Sequence, residues 1–326
     1  MTLNVKQAGM DCKQVIQEYY TLGPNCHRSG TTQDHATTNW IGEKLRSLGF
    51  ETKTLEFKVI QYDHSECYVK IRDGPKIDAF PQFNFNEIGD IKGTLASLNK
   101  CCEGDVAVTE WLSDVSRGTG VRIKDFRYDS DIVKSVKRNV RALIAVMNSP
   151  SGELAMLNSP KSLELHPLPV FLVGIKDGDK INEAVKNKGQ VEIKASGTVN
   201  NNGVAYNTYA TLKRGKQWIV VSTAQSGWFG CASERGPGVA IFLALAQYAA
   251  TASSAYSWFF TCNSGHEFDN LGSAEMTKST LMPAPNETAL AIHCGANITC
   301  RRWDRKKQYT SPSDPNELSH KADPII

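Results

Sequence analysis

The stretch from Trp218 to Ser273 restricts this chain more than any other. It reads strand, glycine-rich loop, apolar helix, strand, polar loop and helix start in one run. Trp218-Ile219-Val220-Val221-Ser222-Thr223 is apolar and rich in β-formers, which suits a strand. The loop that follows holds Ala224-Gln225-Ser226-Gly227 and then Gly230-Cys231-Ala232-Ser233-Glu234-Arg235-Gly236-Pro237-Gly238. Val239 to Ala250 is apolar almost all round, so the helix it predicts is buried on most faces. Tyr256 to Cys262 reads as a second strand and runs into Asn263-Ser264-Gly265-His266-Glu267-Phe268-Asp269-Asn270-Leu271-Gly272-Ser273. Strand, helix and strand at this spacing predict a βαβ unit of a mostly parallel sheet. Ligands of such sheets sit outside the carboxyl ends of the strands, where both polar loops fall.

These motifs resemble the central segment of the co-catalytic zinc aminopeptidase and glutamate carboxypeptidase family. The resemblance implies an α/β fold whose mostly parallel or mixed sheet is sandwiched by helices. In that family a strand ends in a His ligand and a glycine-rich loop supplies a bridging Asp. The next strand ends in paired carboxylates, a general base and then a ligand, before a Gly-Ser helix start. With Gly236-Pro237-Gly238 and Leu271-Gly272-Ser273 setting the register, the His position falls on Ala224 and the bridging Asp on Glu234. The base falls on His266, the second Glu on Glu267, and a further Asp ligand near Gly295 after Ala289 to Cys294. A two-zinc hydrolase needs about four ligands per ion and a bridging carboxylate. Ala224 and Gly295 offer none, so the expectation is a lost metal site and no resident cofactor. A residual aminopeptidase or carboxypeptidase with one weakly held zinc is the alternative.

Composition narrows the partners. A chain of 326 residues, 40% hydrophobic and 22% charged, has the balance of an ordinary globular protein with room for two cores. A net charge of +3 argues for neither nucleic acid nor an anionic membrane. The basic run Arg301 to Lys307 reads as a solvated segment. No apolar stretch reaches the length of about 20 residues that spans a bilayer, and Met1 to Gln7 lacks a signal-peptide core. Nine cysteines, an odd count without metal-type spacing, predict free thiols in a reducing, cytoplasmic compartment. The sequons at Asn286 and Asn297 are then chance matches.

In chain order, a helix is expected over Asp11 to Tyr20 with Val15, Ile16, Tyr19 and Tyr20 as its apolar stripe. The turn His27-Arg28-Ser29-Gly30-Thr31-Thr32 leads to a helix from about Asp34 to Leu48, with Gly49 as its C-terminal stop. Turn and helix resemble the family's N-terminal Arg-x-Ser-Gly segment, and Leu55, Phe57 and Val59 alternate as the strand after it. His27 and His35 read as surface or capping residues. Residues 60–197 interrupt the peptidase-like pattern. Within them Arg141 to Met147 and Leu168 to Gly174 read as buried strands, Gly178 to Lys188 as a helix, and Gln190 to Ala195 as an edge strand. That order is similar to the inserted, β-rich protease-associated domain; His64 and His166 in it read as structural or exposed. The expected division is residues 1–59 and 198–300 for the peptidase-like core, 60–197 for the insert and 301–326 for a polar tail.

Three functions are open to the cleft. The chain could bind a peptide or partner without turnover, or carry out metal-independent acid/base work on a small molecule, or retain single-metal hydrolysis. For the second, His266, Glu267 and Glu234 form a proton-transfer set, because a carboxylate can orient an imidazole that titrates near neutrality. Trp228, Ser226 and His293 would line the substrate, and Cys231 or Cys294 offers a formal nucleophile. The plain reading makes Glu234-Arg235 a surface ion pair and His266-Glu267 a cap on the next helix. In the resembled family the core continues well past the strand that matches Ala289 to His293. The expectation is therefore a shortened sheet that exposes the Val239–Ala250 helix and the Ala289 strand, in a truncated or self-associating chain.

Overall fold

The computed structural model describes residues 10–82, 90–112, 126–149, 152–159 and 168–295, with backbone alone for Tyr62, His64, Leu112 and 126–129. His166, Asn297 and the basic and polar segment from Arg301 lie outside the described residues. The fold is mixed α/β, and the chain divides into two compact units. One is built from residues up to Val59 and from Asn202 onward, the other from Ile60 to Asn201.

The first unit opens with helix α1 (Cys12–Leu22), whose first amides are taken by the Asp11 carboxylate. Its inward face is Val15 and Tyr19; Tyr20, expected in the stripe, is 40% exposed because the helix turns it away from the sheet. Helix α2 (Thr32–Ser47) follows, and Gly49 stops it with a left-handed φ of +85°. Thr31 caps α2, accepting from the Asp34 amide and donating to the Arg28 carbonyl at 2.6 Å. Thr31→Ala should cost about 1 kcal/mol, read as a lower denaturant midpoint at unchanged slope. An unchanged midpoint would show that the cap is idle.

Strands β1 (Glu51–Ile71) and β8 (Gln190–Leu212) each run from one unit into the other and pair together. The expected edge strand at Gln190 to Ala195 is the first part of the 23-residue β8, where Gln190 to Ile193 pair with β4. Beyond it the first unit holds β9 (Trp218–Ala224), α5 (Gly236–Thr251), β10 (Ser257–Asn263), α6 (Leu271–Lys278) and β11 (Thr288–Cys294). The order is β11-β9-β10-β8. β10 and β11 lie parallel to β9 on either side, and β8 runs antiparallel to β10. The alternation of the strands decides what covers each face. Val221, Phe260 and Cys262 point to the side of α1, α2 and α5, while Val220 and Phe259 point to Met276 of α6.

α5 begins with Pro237 in its first turn and buries ten residues, among them Phe242 and Leu243. The predicted exposure of this helix is therefore incorrect: α1, α2 and the strands cover it. β11 does present Ala289, Leu290 and Ala291 to solvent, with Leu290 51% exposed.

The second unit holds β2 (Lys76–Asp78), β3 (Phe80–Gln82), β4 (Ile91–Ser97), β5 (Val106–Leu112), α3 (Phe126–Lys137), β6 (Ala142–Asn148), β7 (Val170–Gly174) and α4 (Gly178–Lys186). Its strands run β8-β4-β5-β6-β7-β3, with β4 to β7 parallel. Both faces are buried, which is why β6 and β7 are apolar without alternation. Leu143, Ala145 and Met147 meet Ile132 of α3, and Ile144 and Val146 meet Ile181 of α4. No helix among the described residues is long and apolar enough to cross a membrane.

Candidate functional site

Three parallel strands, β11, β9 and β10, end on the same side, and the loops after them gather most of the polar residues singled out in the sequence. β9 gives out at Ala224 and is followed by the buried Gln225 and Ser226. The chain then turns back, and Gly227 comes so close to Cys231 that a Cβ would lie 2.3 Å from its Sγ. Cys231 takes a left-handed φ of +48°, and the Arg235 amide closes the turn on its carbonyl at 2.8 Å. This turn aims the Arg235 side chain inward, where it is only 3% exposed.

Arg235 is the centre of the site. Its Nε donates to the Ser226 carbonyl at 2.8 Å, and its Nη2 lies 2.5 Å from His266 Nδ1 and 3.1 Å from Nε2. The same Nη2 meets the Glu234 carboxylate at 2.8 Å. The pair expected as a surface contact thus has its cation sealed inside and only Glu234 half exposed. Burial, then the guanidinium, then His293 hold His266 far below its ordinary value, at about 3. The ring is neutral at neutral pH, since a cation beside it opposes a second one. Its orienting neighbour is Arg235, where a carboxylate had been expected.

Glu267 is fully buried. It accepts from the Ser29 amide at 3.1 Å, the Ser29 hydroxyl at 2.6 Å and the Ser226 hydroxyl at 2.8 Å. Burial raises its carboxyl, which those donors partly offset. The expected cap on the next helix is not formed: Asn270, at a left-handed φ of +59°, precedes α6, and Glu267 faces the Ser29 loop. Ser226, expected to line substrate, is wholly buried, and its hydroxyl also accepts from the His266 amide at 3.2 Å. Trp228 is half-buried with its ring edge-on to Phe268 at 6.0 Å. His293 sits exposed on β11, its Nδ1 2.9 Å from the Ser222 hydroxyl on β9. Burial pushes the Cys231 thiol up and the Cys294 thiol to about 11, so neither forms a thiolate near neutrality. All the described cysteines are free.

Several contributors carried no signal in the sequence reading. His27, expected at the surface, is fully buried and stacked on Tyr19 at 4.1 Å, because the His27 and Gly227 backbones bridge. His35 is half-buried and bonds the Val204 carbonyl at 2.9 Å, so it is no cap. Asp34 is fully buried, accepting from the Gly30 amide at 2.8 Å, the Ser264 hydroxyl at 2.7 Å and Gln225 Nε2 at 2.8 Å. Burial lifts its carboxyl to about 7. The hint available was the Ser29–Asp34 turn, read only as a helix start.

Solved structures share this architecture. A zinc aminopeptidase from Bacillus subtilis superposes with a TM-score of 0.66 at 15% identity, over 87% of this chain and 68% of its own. An aminopeptidase from Aneurinibacillus sp. strain AM-1 gives 0.60 at 15% identity, over 87% and 69%. A family 28 peptidase precursor from Shewanella amazonensis gives 0.63 at 15% identity, over 85% and 70%. At such identities the likeness establishes the fold, a peptidase-like α/β scaffold. No protein-family profile matches the sequence. No curated protein matches it either. Among the described residues no group of three or more His, Cys, Asp and Glu side chains is arranged to hold a metal ion.

Proposed function

We propose that this chain is a zinc-peptidase homologue that works without the two-zinc centre, holding a peptide or small molecule at the strand ends without hydrolysing it. The observation that carries the reading is Arg235, a buried guanidinium bonded to the very imidazole that the register places at the base position. Two zinc ions need about eight donor contacts and a shared carboxylate. Here Ala224 and Gly295 have no side-chain donor atom, the His266 nitrogens face a cation, and the Glu267 carboxylate is engaged by Ser29 and Ser226. A dication beside a fixed guanidinium is also repelled. These residues do not fit the pair, so no step is routed through metal.

Acid/base turnover fits less well than binding. His266 is held neutral by its surroundings, and Glu267 is sealed from the cleft. Glu234 remains half exposed, and Trp228 and His293 are reachable, which suits contacts with a bound molecule. The second unit, on this reading, is an inserted module of the protease-associated kind.

Purified protein should hold less than one equivalent of zinc by elemental analysis and leave aminoacyl and glutamyl peptides uncut. Stoichiometric zinc whose chelation abolishes peptidase activity would reject the proposal. So would turnover of any substrate that falls by a factor on the order of 10²–10⁴ in His266→Ala while the fold persists.

A further inference from the structure

The chain fixes the Arg235 guanidinium but uses only part of it. Nε is spent on the Ser226 carbonyl, which sets the plane of the group beyond the end of β9. Nη2 is crowded, with the His266 nitrogens at 2.5 and 3.1 Å and Glu234 Oε1 at 2.8 Å. The second Glu234 oxygen lies on the Gly227 side, 3.8 Å from where a Cβ would stand there. Nη1 has no hydrogen-bond partner among the described residues and keeps some access to solvent. To hold a guanidinium at 3% exposure with one nitrogen idle is costly, because a charge taken out of water needs its donors served.

Three strand ends meet around this group. Arg235 follows β9, and His266 follows β10. His293 lies near the end of β11, close enough for the Arg235 charge to act on its ring. The Ser222 hydroxyl lies 2.9 Å from His293 Nδ1; when that hydroxyl donates, Nε2 carries the ring hydrogen and is a donor in its turn. α5 starts at Gly236, directly after Arg235, and its first turn holds no acidic residue to offset its positive end. Against these stands Glu234, whose side chain is 41% exposed. It can turn into water for little more than the loss of a surface ion pair.

The geometry points to Arg235 as the receptor for a ligand's carboxylate, which lies astride Nη1 and Nη2 in place of Glu234, the chain's own competing acid. A planar carboxylate meets the guanidinium fork with two parallel hydrogen bonds and balances its single charge. Glu234 keeps the cation neutralised until the ligand arrives, and so sets the affinity. The inference rests on the metal-free binding reading above and gives it a chemical class: the bound molecule is an acid.

The test is titration of the full chain, as purified, with sodium acetate at constant ionic strength, following the amide resonances of residues 226–236 by NMR. They should shift saturably at millimolar acetate, and phosphate should bind more weakly. Glu234→Gln should tighten acetate binding roughly fivefold, since the internal competitor is worth about as much as an exposed ion pair. Arg235→Lys keeps the charge without the fork and should weaken binding roughly tenfold. If that variant does not fold, the Glu234→Gln arm decides. No saturable shift, tighter binding of phosphate than of acetate, or an affinity unchanged in Glu234→Gln overturns the inference. Stoichiometric zinc in the same sample would defeat the metal-free reading, whereas zinc-free protein that ignores acetate defeats the carboxylate site alone.

Discussion

Gly272→Ala is expected to lower stability by about 3 kcal/mol or more, an extreme effect for one methyl group. A Cβ at this position would lie 2.1 Å from the Ser264 carbonyl oxygen and 2.6 Å from Asn207 Oδ1. Neither atom can give way. Asn207 is wholly buried, bonding the Gly272 carbonyl through Nδ2 at 2.7 Å and receiving the Ser264 amide at 3.0 Å. The Ser264 hydroxyl is in turn tied to Asp34. The Leu271-Gly272-Ser273 motif is thus needed for close approach of α6 to the end of β10. Chemical denaturation would show the loss as a lower midpoint. A variant within about 0.5 kcal/mol of wild type would mean that the approach is looser than the geometry states.

Arg235→Ala should show the second large effect, in two readouts. Removing a buried guanidinium strands the Ser226 carbonyl and leaves a void. The cost should be about 3 kcal/mol, with little of it from the half-exposed Glu234. The His266 ring should also titrate higher than its present value of about 3. It should remain below the ordinary histidine value, because burial, the larger cause, persists. NMR of the ring protons across pH reads this directly. An unmoved His266 midpoint in a folded variant would show that the guanidinium does not hold the ring, and the cation-filled reading of the site would fail.

What the sequence disclosed follows the reach of its periodicities. β9, α5 and β10 were legible because Trp218 to Cys262 contains its own partners, so local pattern and pairing agree. Ala224 could be placed at a strand end for the same reason. Arg235 was not legible as a buried group, since an adjacent Glu-Arg pair has the same letters on a surface or inside. Its burial depends on the turn at Cys231 and on His266, thirty-one residues along. Ser29 and Asp34 were hidden by distance, 238 residues from Glu267 and 230 from Ser264 respectively. The length of β8 escaped because Asn200 to Asn202 break its alternation, while pairing with β4 near one end, β10 near the other and β1 sustains the strand.

That first unit is written in two pieces, with the whole of Ile60 to Asn201 between them. Tyr19 closes on the Gln225 carbonyl across 206 residues, and its ring carries His27. On a growing chain, α1, α2 and the Ser29 loop emerge long before β9 and β10 exist to receive them. Their closure entropy falls due only when β9 and β10 appear. The second unit has its partners close in sequence and can form in the interval. The polar cluster around Arg235 and Glu267 therefore assembles only after β9 and β10 have emerged. A substitution within Ile60 to Asn201 that slows the folding of that segment will lower the yield of assembled sites while leaving each finished site unchanged.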